Sequence, residues 1–380
     1  MRSSLKMIRK LILNVFLLAA MIVGALVFLE GVSSVILFFG TAFFGKGEQP
    51  VAERRHTQYD EALGWVNIPN LAVQDLYGPG IFLRTNSRGF RGSREVGVGV
   101  PDRKVRVICS GDSYTLGYGV DDDHTWCQAL ASLDPRLEPV NMGQGGYGID
   151  QAYLWYKRDG SILNYNVQIF AFITDDFFRM DTPAYRGVGK PVLDLDRGHL
   201  VVKNVPVPRR RWYYAPWVRR VASRVAALKT NELALRAMGR FHPLEAGGDN
   251  TISDHTWAVA LKVFESLQEM NEARKSALVL VWLPAQWDYP SSESETWRRR
   301  LAAESKTRGW TYLDLLPEMQ QLPAAQFERM FFSTHHHYTA AGNKWVANMV
   351  YRRISSLPQL ARRLTRRIPS PGLPPHPTGH

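Results

Sequence analysis

Four short runs carry side chains able to take part in covalent chemistry. Ser110-Gly111-Asp112-Ser113-Tyr114-Thr115-Leu116-Gly117 places a serine on a tight turn after the β-branched run Lys104–Cys109. Asn141-Met142-Gly143-Gln144-Gly145-Gly146-Tyr147-Gly148 is a glycine-rich turn after a second short apolar run, and Ile173-Thr174-Asp175-Asp176-Phe177 follows a third. Ser333-Thr334-His335-His336-His337-Tyr338-Thr339-Ala340-Ala341-Gly342 stands just before the last helical pattern. A serine hydroxyl becomes a nucleophile when an imidazole takes its proton. Backbone N–H groups at a glycine turn or a helix start can hold the anion that forms. The chemistry these residues suit is therefore acyl transfer.

Such residues must converge from distant parts of the chain, and the intervening pattern says how. Apolar runs alternate with amphipathic helical patterns: strand Lys104–Cys109, helix His124–Leu133, strand Pro139–Met142, helix Asp150–Leu163 and strand Val167–Ile173. After an interruption come helix Ser253–Arg274, strand Ala277–Leu283, helix Ser294–Arg308, strand Trp310–Leu313 and helix Ala340–Ile354. This alternation implies an α/β fold of three layers, with a mostly parallel central sheet covered on both faces. Active positions in such sheets lie beyond the carboxyl ends of strands. The interruption, about 181–250, holds a hairpin pattern, Val192–Leu195 and Leu200–Val202 joined through Asp196-Arg197-Gly198, and a helical run Val218–Met238. Residues 46–103 read as an irregular or β lead-in, 104–357 as the α/β domain, and 358–380 as a basic, Pro-rich, disordered tail.

The four runs resemble, block by block, those of the SGNH/GDSL hydrolases, over about Val105 to Ile354. The resemblance implies a flavodoxin-like α/β/α fold with Ser113 as nucleophile and His337, five residues before Gly342, as the catalytic histidine. It also implies an oxyanion hole from the N–H groups of Ser113 and Gly146, with Gly145 the close alternative. Two positions depart. Asp175 stands where the family has an asparagine that donates to the oxyanion, and a carboxyl group can donate only when protonated. The place of the acid that orients the histidine is taken by His335 or Thr334. A backbone carbonyl, His335 itself, or a distant carboxylate such as Asp314 or Glu328 would have to orient His337 instead.

The rest bounds location and partners. Leu11–Leu29 is apolar but for Asn14, long enough at roughly 28 Å to cross a bilayer. Arg2, Lys6, Arg9 and Lys10 precede it, which predicts residues 1–10 in the cytoplasm, an uncleaved signal anchor, and the bulk of the chain extracytoplasmic. Val35–Phe44 extends that helix or lies at the interface, so residues 11–45 meet lipid. The net charge is +12, largely from arginine pairs such as Arg219–Arg220 and Arg362–Arg363. No nucleic-acid motif accompanies it, and nucleic acid is not an expected partner. Cys109 and Cys127 read as inert core thiols. Three consecutive histidines lack the HExxH spacing of a zinc site, so neither metal nor cofactor is expected. Tyr147, Trp155, Trp212, Tyr213, Tyr214 and Trp217 could stack on sugar rings or pack a core. The expectation is a membrane-anchored serine esterase or O-acyl transferase with a Ser–His dyad. Its substrate would be an acylated small molecule or an envelope polysaccharide. The alternative is a catalytically degenerate fold serving as a binding or scaffolding subunit beside membrane proteins.

Overall fold

Residues 2–44, 56–185, 188–208, 228, 230, 233–234, 252–288 and 294–364 are described by the structure, a computed structural model. The chain divides into two compact units, 1–51 with 210–250, and 52–209 with 251–380.

In the first unit a single helix runs Arg2–Phe44, so the stretch beyond Glu30 continues the span as helix. Its section Lys6–Ile36 is long and apolar enough to cross a membrane. Glu30 accepts hydrogen bonds from the amide and hydroxyl of Thr230. Most of the expected helix Val218–Met238, with Trp212, Tyr213, Tyr214 and Trp217, lies outside the described residues.

The second unit is built on five parallel strands: Val105–Gly111, Leu137–Gly143, Val167–Phe172, Ala277–Trp282 and Tyr312–Asp314. Numbered along the chain, they stand in the order 2-1-3-4-5, so the chain reverses its direction of travel across the sheet beside the first strand. In sheets of this kind such a reversal is where functional groups gather, beyond the strand ends. The strands alternate two apolar faces with period two. Ile108, Phe170, Phe172, Leu280 and Trp282 pack under helices Ile149–Trp155 and Asp254–Ala273. Val107, Cys109, Ile169, Val279 and Val281 pack under Trp126–Leu133 and Ala340–Ser355. This is the three-layer α/β/α arrangement.

Several local expectations are corrected. The helix expected from His124 begins at Trp126, because the Thr125 hydroxyl caps it through Gln128 N–H, while Asp121 caps a separate 3-10 turn, Asp122–His124. The tail is not irregular from residue 358: Pro358–Leu364 is helical, with Leu360 buried in the second core. Tyr147 and Trp155 are core residues, 0% and 1% exposed, and so cannot meet a sugar. Cys109 and Cys127 are joined in a disulfide, both buried, where free thiols were expected. Their alternate positions on the first strand and the helix over it bring the two Cα atoms within 6.2 Å, inside bonding reach. The hairpin is as expected, Val192–Asp196 against His199–Lys203, with Arg197 and Gly198 both at positive φ as its two-residue turn requires.

The lead-in is an integral part of the domain. Arg91, fully buried, pairs with Asp122 through Nε at 3.1 Å and donates from Nη1 to the carbonyls of Leu116 and Gly117, and from Nη2 to that of Val120. It thereby fixes the turn that follows Ser113. Replacing Arg91 by alanine leaves Asp122 and three carbonyls buried without that partner, and should destabilise the protein by about 3–5 kcal/mol in urea unfolding. Arg91→Lys, which retains the charge but not the fork, should lose less.

Candidate active site

Ser113 opens the short helix Ser113–Leu116 directly after the first strand, and Asp112 caps that helix by accepting from Tyr114 N–H at 2.9 Å. Gly143, at the end of the second strand, lies against this helix so closely that a Cβ there would stand 1.9 Å from Leu116 N. Only glycine permits that approach. The neighbouring strand end is thus pressed onto the nucleophile's turn, and the glycine loop 143–146 is delivered beside Ser113.

His337 reaches the same place from the far end of the chain. Its loop is pinned by Phe332 N–H donating to His337 O at 2.8 Å, by Tyr114 Oη donating to His336 O at 2.9 Å, and by Tyr338 Oη donating to Pro284 O at 2.5 Å. The imidazole lies between the rings of Tyr114 and Tyr118, each centroid 4.7 Å away. His337 Nε2 stands 2.8 Å from Ser113 Oγ, and His337 Nδ1 stands 2.8 Å from the carbonyl oxygen of His335. A carbonyl can only accept, so the proton sits on Nδ1 and Nε2 presents its lone pair to the serine hydroxyl. That is the tautomer a general base needs.

His335 contributes twice. Its carbonyl orients His337, and its own Nδ1 stands 3.3 Å from His337 Nδ1, where it can share the same proton as acceptor. Burial, reinforced by His336, lowers the His335 pKa to about 4, so this ring is neutral near pH 7. Of the distant carboxylates considered for the role, Asp314 is held by Arg298 at 2.5 Å and Glu328 is exposed.

The N–H groups of Ser113 and Gly146 donate to no protein acceptor among the described residues. Gly146 has φ +76°, and a Cβ there would meet Tyr185 at 2.5 Å. Gly145 differs: its N–H is taken by Gln144 Oε1 at 2.9 Å. Gly146 is therefore the better donor of the two.

Asp175 lies beyond the third strand in a cluster of carboxylates around one guanidinium. Arg179 Nη1 is 2.5 Å from Asp176, 3.3 Å from Asp112 and 3.0 Å from Tyr147 O, and Arg179 Nη2 is 3.9 Å from Asp175. One cation faces three acids. Burial raises the pKa of Asp112 and, more strongly, of Asp176, with Arg179 opposing in both cases. Burial alone would lower the pKa of Arg179, but the surrounding carboxylates more than reverse this. Asp175 is shifted upward too, by desolvation, against Arg179 and a hydrogen bond from the Trp287 side chain. Its side chain nevertheless remains 39% exposed, unlike the buried side chains of Asp112 and Asp176.

Arg179, Tyr118 and Trp287 were not read from the sequence. Arg179 stands three and four residues after Asp176 and Asp175, a helical spacing for ion pairs, and Trp287 follows the fourth strand's end, where the topology places active positions.

No family model matches the sequence, and no curated protein matches it. Solved structures that are similar include a lipolytic protein of the G-D-S-L family from Veillonella parvula, 11% identical with a TM-score of 0.38, covering 67% of this chain and 100% of that one. The lipase/acylhydrolase from Enterococcus faecalis is 13% identical with a TM-score of 0.38, covering 66% and 95%. A GDSL-like lipase from Bacteroides thetaiotaomicron is 14% identical with a TM-score of 0.35, covering 69% and 93%. At such identity the chemistry of this chain is read from its own atoms.

The depressed pKa of His335 has a consequence for stability. Between its ordinary value near 6.5 and about 4, the unfolded chain binds a proton at this residue that the folded chain does not, so stability falls as pH drops through that window. His335→Asn should flatten the decline in Tm between pH 6.5 and 4.5. The wild type should lose up to about 1 kcal/mol per pH unit more than the variant.

Proposed function

We propose that this chain is a membrane-tethered serine esterase or O-acyl transferase. The observation that carries the reading is the 2.8 Å contact between Ser113 Oγ and His337 Nε2, with Nδ1 facing a carbonyl that fixes the tautomer. Ser113 Oγ attacks the acyl carbon as its proton passes to His337 Nε2, and the N–H groups of Ser113 and Gly146 receive the oxyanion. The intermediate collapses, and the imidazolium returns the proton to the departing alkoxide. Water or an acceptor hydroxyl, deprotonated by the same nitrogen, then takes the acyl group from Ser113. Asp175 adds a third donor in the fraction of molecules where its carboxyl is protonated.

Two independent features support an extracytoplasmic domain behind a single-pass anchor. Basic residues precede the apolar helix, and such residues stay on the cytoplasmic side. Cys109 and Cys127 are paired, as cysteines of oxidising compartments are. That location would put an acylated envelope polysaccharide, or an acylated small molecule, within reach.

The second reading, a binding or scaffolding subunit on a degenerate fold, is favoured by the three acids packed beside the nucleophile. The two separate on chemistry. A fluorophosphonate probe should label Ser113 of the detergent-solubilised full chain. Labelling should vanish in Ser113→Ala and fall at least about a thousandfold in rate in His337→Ala. An unlabelled wild type would leave the scaffold reading. His335→Asp supplies a further test, because an aspartate oxygen falls near the site of His335 Nδ1, 3.3 Å from His337 Nδ1. A carboxylate there would stabilise the imidazolium, and kcat on p-nitrophenyl acetate should rise about tenfold.

A further inference from the structure

Trp287 is the only exposed Phe, Tyr or Trp side chain among the described residues outside the N-terminal helix, 44% accessible. It is not on a remote surface. Its side chain neighbours Asp175, and its ring centroid is 6.4 Å from that of His336, the residue before His337. Contacts run on from Asp175 to Arg179 and from Arg179 to Asp112, which adjoins Ser113. Trp287 therefore neighbours both the loop that carries His337 and the carboxylate cluster that reaches Asp112, beside Ser113.

Resting on the reading of Ser113 as nucleophile, we propose that Trp287 is a stacking platform for a sugar ring of the ester substrate. An exposed indole offers a flat apolar face, which suits the C–H face of a pyranose. The rim of that face is polar. Asp175 is partly exposed, His336 is exposed, and Gln286, whose Oε1 lies 2.5 Å from His336 Nδ1, retains its amide donors. The ring and substituent oxygens at the edge of a stacked sugar can meet such partners, whereas an alkyl chain would strip water from them without replacing it. The acyl group enters at Ser113 and the sugar, as the alcohol component, lies across Trp287.

The test compares three esters on the solubilised full chain: ethyl acetate, which has nothing to stack, glucose pentaacetate, which presents a sugar ring with an ester at every hydroxyl, and ethyl octanoate. Trp287→Ala should raise KM for glucose pentaacetate about tenfold with kcat unchanged, and leave kcat/KM for ethyl acetate within about twofold. Trp287→Phe keeps a face but lacks the N–H, and should recover most of the loss. Equal losses on all three esters would show a structural role and overturn the proposal, as would a loss confined to ethyl octanoate or no loss at all. A wild type that ignores glucose pentaacetate overturns it too. Fluorophosphonate labelling of Ser113 would then decide separately whether the nucleophile assignment stands.

Discussion

The hydrogen bond between His337 Nε2 and Ser113 Oγ joins residues 224 positions apart, and most of the domain is arranged around keeping it at 2.8 Å. Ser113 is placed by the first strand, whose backbone is locked between the second and third. Arg91 holds the turn after it. That turn carries Tyr118, one of the two rings flanking His337, and the nucleophile's own helix carries the other, Tyr114. Tyr114 also donates to the His336 carbonyl, so one residue beside the nucleophile both stacks on the base and tethers its loop. An aligned imidazole is expensive in side-chain entropy, and here that cost is met by packing.

The electrostatic balance around this pair is uneven. On the histidine side the orienting partner is neutral, and His335 stays uncharged near pH 7, so a protonated His337 would find a dipole but no counter-charge there. On the other side three carboxylates share Arg179. With Asp112 and Asp176 both buried, ionising the whole set would leave uncompensated negative charge in a low-dielectric setting. Burial accordingly raises the pKa of both, with Arg179 opposing.

How much of this the sequence disclosed depends on the kind of signal. The strands were legible because their apolar runs are short and bounded by turn residues, and the order of events along the chain already implied a parallel sheet. Ser113, Gly146 and His337 could be singled out because each sits in a block of several constrained residues. The orienting carbonyl of His335 could not be read, since every residue has one and only the loop's path aims it. Arg179 was hidden because an arginine after two aspartates reads equally well as a solvated helix face. The disulfide was missed because burial and pairing are both compatible with a cysteine on an apolar strand, and only the distance between strand and helix separates them. The irregular lead-in concealed Arg91 for the same reason: most of its partners are carbonyls, which leave no trace in side-chain pattern.

The two departures from the block pattern become intelligible together. Relative to that pattern an acid is absent beside the histidine, at His335, and an acid is present beside the oxyanion position, at Asp175. The first loss is compensated locally in geometry, because the carbonyl fixes the same tautomer that a carboxylate would, though not in charge. The second is compensated by Arg179 and by the rise in the Asp175 pKa, which together reduce the negative potential facing the oxyanion. Orientation is thus preserved at both places while electrostatic stabilisation is weakened at both. A serine–histidine pair of this kind, if it acts as the proposed nucleophile and base, would depend more heavily on substrate binding to reach the transition state, since binding energy is the remaining source of rate. That dependence gives the rim around Ser113, and the indole exposed on it, more weight than it would have beside a complete triad.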